Sequence, residues 1–483
     1  MEINTLTDRL KTNQLRSWSK AVLQAGVEFD LTPLQIIDGK IPSGLRGSLY
    51  RNGPGRLGFK KQKVGHWFDG DGAVLGVHFT NQNASAVYRY VKTQGYQQEQ
   101  KEQKLIFPGY GMVSPGPFWN RFGKSLKNTA NTSVIALPDK VLALWEQGRP
   151  HALDLKSLKT IGIENLGRLS DKRPYSAHPK CDPQTGEIFN FGVEYGIKTL
   201  LHIYRSSRDG QIRKHSITRL NSFPMIHDFA LAGRYIIFFI PPLNLNLLPF
   251  LAKLKSYSES LTWQPNLGTQ ILIFDRNTLE LVSRNKTEAW FQWHYANAHA
   301  IADGSLIVDF VRYQDFSTNQ HLTEMATGST QTSAPGTFWQ ARLDPHTGKL
   351  ISINQVFDRI CEFPTVASNN VGKISRFTYF SLHKKKVNIG QEWFGSLGRF
   401  DHQTGKLTEA DLGENCYLVS PTYADNQDSC EPGWILTIVF DGNLEQSQIW
   451  IFDAEESNLD PICKLLLPEI IPIGYHGTWR SDK

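Results

Sequence analysis

From Gly26 almost to the end of the chain, short apolar runs rich in β-branched and aromatic residues alternate with Gly, Asn, Asp and Pro turns. Val134–Leu137, Val141–Trp145, Ile271–Phe274, Ser305–Val311, Trp434–Phe440 and Gln448–Phe452 read as strands. One turn recurs between such runs. Asp182-Pro-Gln-Thr-Gly-Glu-Ile, Asp344-Pro-His-Thr-Gly-Lys-Leu and Asp401-His-Gln-Thr-Gly-Lys-Leu are near copies, and looser ones begin at Asp154 and Asp275. Asp and Thr side chains cap a tight turn, and Gly supplies positive φ. One hairpin type repeated over hundreds of residues points to radially arranged sheets. The expected fold is all-β, a β-propeller, with a β-sandwich as the alternative. A short amphipathic helix is predicted over 14–26. No Pro/Ser-rich linker divides the chain, so residues 1–483 read as a single domain.

One stretch departs from this rhythm. Tyr235 to Leu254 is as long as a bilayer span, yet it holds three prolines, two asparagines and a lysine. It reads as a strand, Ile236–Ile240, followed by an apolar surface excursion. Leu243, Leu245, Leu247, Leu248, Phe250, Leu251 and Leu254 crowd there beside Lys253 and Lys255. That composition suits dipping into a membrane surface. A loop folded back onto the core is the alternative.

Composition narrows the partners. A net charge of +6 over 483 residues is too mild for a dedicated nucleic-acid surface. Five scattered cysteines without a C-x-x-C pair fit a reducing compartment and no thiolate zinc site. The N-terminus shows no basic start followed by an apolar run, so no secretory signal is read and a cytoplasmic protein is expected. Aromatics are plentiful, with 27 Phe, 16 Tyr and 12 Trp, which suits an apolar cavity.

Fourteen histidines occur, and four stand among apolar or small residues at strand ends. They are His178 (Tyr-Ser-Ala-His-Pro-Lys), His227 (Met-Ile-His-Asp-Phe-Ala-Leu), His294 (Trp-His-Tyr-Ala-Asn-Ala) and His476 (Ile-Gly-Tyr-His-Gly-Thr-Trp). A buried neutral imidazole satisfies its ring nitrogens with hydrogen bonds or with a metal. In a propeller, distant blades converge at the axis, so wide spacing is compatible with one shared site.

These four contexts resemble the carotenoid cleavage oxygenase family. So do Tyr50-Arg-Asn-Gly-Pro-Gly, Trp67-Phe-Asp-Gly-Asp-Gly, Asn128-Thr-Ala-Asn-Thr, Leu142-Ala-Leu-Trp-Glu-Gln-Gly and Arg359-Ile-Cys-Glu-Phe-Pro, all in the family's order. The resemblance implies a seven-bladed β-propeller with short helices and loops capping its top face. It implies one Fe(II) on the axis held by His178, His227, His294 and His476. It also implies glutamates that accept the other ring N–H of three of these histidines: Glu146, Glu362 and Glu414. The implied reaction uses O2 to split a double bond of an apolar carotenoid or apocarotenoid into two carbonyl products, retinal-type aldehydes among them. Isomerisation of a retinyl ester, stilbene cleavage and a non-catalytic binding propeller are the alternatives. The excursion at Leu243–Leu254 resembles the family's entrance patch, which implies peripheral attachment to a membrane; a monomer is expected. Two departures stand out. Asn297-Ala298-His299-Ala300 lacks the family's aromatic-Glu after Asn-Ala, and Asn415 replaces the Pro expected after the third glutamate.

Overall fold

The computed structural model describes residues 15–482 apart from 61, 172, 197 and 429–431. Its principal sheets form the seven blades of a propeller. From the axis outward, the third blade runs Lys180–Cys181, Ile188–Glu194, Thr199–Ser206 and Ile212–Leu220. The fourth runs Ala230–Ala232, Tyr235–Ile240, Thr269–Asp275 and Leu281–Thr287. Inner strands of the second, fifth and sixth blades are Ser133–Ala136, Tyr295–Ala300 and Cys361–Thr365. The seventh has a split inner strand, Cys416–Leu418 and Thr422–Ala424, and carries Gln35–Gly39 at its outer edge. The first blade is closed on its inner side by Gly477–Ser481, which pairs with Gly47–Arg56.

The apolar runs become strands buried on both faces. Tyr235–Ile240 shows why such a run need not alternate. Ile236, Phe238 and Ile240 point one way, onto Phe191 and Ile203 of the third blade. Ile237 and Phe239 point the other way, onto Val308 and Phe310 of the fifth. A strand sandwiched between blades has no solvent side, so both parities are apolar.

The recurrent turn sits at one end of the blades. Asp275 Oδ1 accepts the Asn277 and Thr278 amides at 2.8 and 3.0 Å. Asp344 accepts the His346 amide and the Thr347 hydroxyl at 2.9 and 2.7 Å, and Gly348 follows with φ +68°. The turns at Asp154, Asp275, Asp344 and Asp401 join third strands to fourth, and that at Asp182 joins a first strand to a second. Antiparallel strands put both kinds of turn at the same end. The connections from second strand to third, and from blade to blade, therefore gather at the opposite, upper end.

The short helices are α1 (Lys20–Leu23), α2 (Gln94–Glu102), α3 (Leu247–Leu251) and α4 (Ser317–Met325). The helix predicted over 14–26 is shorter than expected. A 3-10 turn at Ser17–Ser19 leads into the single turn α1, and Gln24 is already extended. Gln14 lies outside the described residues. Burial of Trp18, Ala21 and Val22 in the core anchors this segment.

The excursion after Ile240 divides in two. Leu243–Leu245 pairs with Leu261–Trp263 as a two-stranded ribbon, and Leu243 and Leu245 are buried. This corrects their assignment to the surface: as alternate residues of a strand, both face inward. Leu248, Leu251 and Leu254 are exposed, while Leu247 and Phe250 are half-buried. No described helix is long and apolar enough to cross a membrane.

Candidate metal centre

Each blade has a polar residue at, or just before, its inner strand. In order from the first blade these are His476, Thr132, His178, His227, His294, Glu362 and Ser420. The four histidines thus come from the first, third, fourth and fifth blades. One ring nitrogen from each lies within 4.8 Å of every other. His227 Nε2 and His294 Nε2 are 3.4 Å apart, and His294 Nε2 and His476 Nε2 are 3.1 Å apart.

The polar neighbours decide what these nitrogens can bind. His294 Nδ1 lies 2.6 Å from Glu362 Oε2 and donates to it. Glu362 is held in turn by the Tyr313 hydroxyl at 3.1 Å and by the Phe363 amide. Glu146, at the upper end of the second blade, places Oε1 3.2 Å from His227 Nδ1 and 3.6 Å from His178 Nε2. It stays within ion-pair range of His227 without completing a hydrogen bond. With its Nδ1–H on Glu362, His294 leaves a bare lone pair at Nε2, and His227 leaves a second one when its Nδ1–H faces Glu146. Two such lone pairs facing each other at 3.4 Å repel unless a cation lies between them. His178 Nε2 is likewise buried without a hydrogen-bond partner. Burial first, and the neighbouring imidazoles second, hold His178 and His476 well below the ordinary histidine pKa, so both are neutral ligands at neutral pH. The donor set fits a divalent metal of borderline softness.

Asp228, which sequence reading passed over, joins three of the ligand segments. Its Oδ2 accepts the Tyr295 amide at 3.0 Å, next to His294. Its Oδ1 is 2.8 Å from Lys180 Nζ, two residues beyond His178. Its own backbone follows His227. The signal was an acidic residue beside a histidine in an otherwise apolar strand entry.

Glu414 is not at the centre. It is exposed, in the turn before Cys416, where its carbonyl accepts from Asn443 Nδ2 at 2.8 Å. The seventh blade instead presents Ser420, whose hydroxyl donates to the Tyr475 carbonyl at 2.6 Å, beside His476. Arg51 Nη2 donates to the same carbonyl at 3.1 Å and to Ser420 Oγ at 2.9 Å. Burial pushes the Arg51 guanidinium down to about 9, still charged at neutral pH. Among the described residues no carboxylate pairs with it. His476 thus has a cation and a hydroxyl behind it where a glutamate was expected.

His299, the other histidine in its motif, pairs with Ile307 further down the fifth blade's inner strand and is outside the cluster. Asn297 takes over support of the loop. Its Nδ2 donates to Asn370 O and Lys373 O at 2.9 and 2.7 Å, and its Oδ1 accepts the Gly372 amide.

Two apolar cavities open from the cluster. One contains Glu146, Trp145, Tyr195 and Tyr257, the other Trp67, Trp293, Phe363 and Phe394. Phe68, Thr132 and His227 line both, so the arms meet beside the histidines.

A propeller with four axial imidazoles and an apolar passage across them defines a class: proteins with a candidate metal centre beside an apolar ligand cavity. Comparison with known proteins narrows it. The family described as retinal pigment epithelial membrane protein (RPE65) matches residues 23–481, and the chain belongs to that family. It is 29% identical to apocarotenoid-15,15'-oxygenase of Synechocystis, over 96% of either chain. It is 26% identical to resveratrol cleavage oxygenase 1 of Aspergillus fumigatus, over 95% of this chain and 94% of that one. The crystal structure of cobalt-substituted Synechocystis apocarotenoid oxygenase superposes with a TM-score of 0.88, covering 96% of this chain and 98% of the other at 29% identity. The chain is an oxygenase of this family.

Proposed function

We propose that His178, His227, His294 and His476 hold one Fe(II), and that the protein uses O2 to cleave a double bond of a carotenoid or apocarotenoid into two carbonyl products, with retinal-type aldehydes among them. The observation that carries this reading is the convergence of four imidazoles, one ring nitrogen of each within 4.8 Å of every other, at the meeting point of two apolar arms. A bound ferrous ion supplies the activation of O2 at this point. The protein's residues do the rest by placement. The two arms hold an extended apolar chain so that one double bond lies beside the histidines. Phe68, Trp293 and Phe363 keep water from it. Glu146 and Glu362 fix the ring orientations of His227 and His294 and supply negative charge near the ion.

Substrate enters from a bilayer in this reading. Leu248, Leu251 and Leu254 are 82%, 64% and 61% exposed, and Trp119 on a second loop is 74% exposed. Arg121 Nη1 donates to Lys253 O at 3.1 Å, tying the two loops together. Phe250 packs on Tyr257, which lines the arm containing Glu146. We read the protein as a monomer that rests peripherally on the cytoplasmic face of a membrane through this patch.

The deciding experiment incubates iron-loaded protein with β-apo-carotenals of several lengths under 18O2. Two shortened aldehydes, each carrying label, are expected. Isomerised product of unchanged carbon number, or no stoichiometric iron, would overturn the reading. His227→Ala is expected to lose both iron and activity.

A further inference from the structure

The arm that contains Trp67 and Phe394 is mostly apolar, and His321 and His383 line it away from the metal cluster. Neither histidine belongs to the metal cluster. The arm leads from one site to the other through aromatic rings: His294 to Phe363 at 5.4 Å, Phe363 to Phe394 at 6.0 Å, and Phe394 to His383 at 4.4 Å. His321 projects from α4, which closes the upper end of the fifth blade. His383 follows the sixth blade's second strand, Phe377–Leu382.

Both imidazoles are buried, at 8% and 5% exposure. His321 Nδ1 donates to the Thr332 carbonyl at 2.8 Å, which leaves its Nε2 as an acceptor. His383 Nδ1 has no partner at all. Burial pushes His383 down to about 3, with His321 and then Arg359 as further causes, and burial also lowers His321. Both rings are therefore neutral, each with one N–H and one lone pair. The other polar groups of the arm are mostly committed: the Trp393 indole donates to Leu418 O, the Trp293 indole to Thr318, and the Tyr313 hydroxyl to Glu362. The Trp67 indole N–H, also unpartnered, is a donor only.

We infer that His321 and His383 form a recognition site for a hydroxyl group at one end of the polyene. A hydroxyl donates to His321 Nε2 and accepts from the N–H of His383, so it satisfies both rings. A carbonyl accepts only and leaves the His321 lone pair bare, and a hydrocarbon end leaves both rings unsatisfied at a buried site. Anchored there, the hydroxylated end fixes which double bond lies beside the four axial histidines. The site acts as a stop from which the scissile bond is measured. This inference rests on the proposed polyene-cleaving activity.

The test compares a β-apo-carotenal with the same aldehyde carrying a ring hydroxyl. Cleavage is followed as kcat/KM, and binding is followed under argon by quenching of tryptophan fluorescence in the iron-loaded protein. The wild type is expected to favour the hydroxylated compound by about tenfold or more in both measurements. His383→Leu and, separately, His321→Leu are expected to reduce that ratio to near one while iron content stays stoichiometric. His383→Gln, which keeps a hydrogen-bonding amide, is expected to retain part of the preference. Equal handling of the two compounds by the wild type, or a preference that survives both leucine substitutions, overturns the inference. A binding preference without cleavage of either compound would overturn the proposed reaction and leave the hydroxyl site standing. If one leucine variant fails to fold, the other carries the same readout.

Discussion

The Asp228 carboxylate accepts the backbone amide of Tyr295, so the side chain that follows His227 is bonded to the peptide that follows His294. Two metal-facing imidazoles from neighbouring blades are thereby held in one frame, and Lys180 ties in the His178 segment. Asp228→Ala removes the acceptor and strands a buried amide, at a cost of about 1–3 kcal/mol in stability. Iron is expected to be retained less tightly, by roughly tenfold or more, because the rings lose their mutual register. Chemical denaturation and metal analysis after gel filtration measure the two effects. Unchanged iron content would show that the blades alone set the geometry.

Glu362 acts on the same ring from the other side. Glu362→Gln keeps the volume but removes the charge that receives the His294 N–H. Metal affinity is expected to fall by about 10- to 100-fold. Competition against a graded series of chelators reads it directly. Tyr313→Phe, which removes only a hydrogen bond to Glu362, is expected to cost much less.

The exposed patch makes a separate prediction. Replacing Leu248, Leu251 and Trp119 with Ser is expected to weaken binding to phospholipid vesicles by at least about tenfold, since each large apolar side chain gains about 1.5–3 kcal/mol on full burial. Iron content is expected to be unchanged. Flotation with vesicles tests it, and equal flotation of the variant would refute the patch as the docking surface.

Asp309, in the middle of the fifth blade's second strand, makes stability depend on pH. Burial raises its carboxyl to about 7 from an ordinary 3.8, and the Gln340 amide at 2.9 Å offsets this only in part. In the unfolded chain the same group ionises near pH 4. Its contribution to stability is therefore complete below about pH 4 and lost as pH rises through 7. Asp309→Asn stays neutral throughout. The variant is expected to gain on the wild type by up to about 1.4 kcal/mol per pH unit between pH 4 and 7. Urea unfolding at pH 5 and pH 8 measures the gain, and a difference independent of pH would refute it.

The strands, their hairpin turns and the four histidines as candidates were legible from local signals, whereas their meeting at one centre on seven blades was implied only by the family resemblance. The Asp-x-x-Thr-Gly turn carries its own hydrogen bonds, and each axial histidine stands at the entry to an apolar strand. What was not legible depends on register across the ring. Glu414 looked plausible beside a glycine, but the seventh inner strand is broken at Ser420-Pro421, and only pairing with Trp434–Asp441 shows which residue turns inward. Leu243 and Leu245 read as part of a greasy surface run until their pairing with Leu261–Trp263 turned them in. Trp119 escaped notice because its partners on the patch lie more than a hundred residues away.

His476 immediately precedes Gly477–Ser481, the strand that zips the first blade shut against Gly47–Arg56. The fourth nitrogen therefore reaches the axis only as the circle is sealed. A nascent or clipped chain without that strand would offer three imidazoles on an unsealed ring, a poor trap for a ferrous ion. With iron as proposed, metal loading would report that the molecule is finished, and the oxidising centre would be assembled only inside walls already in place.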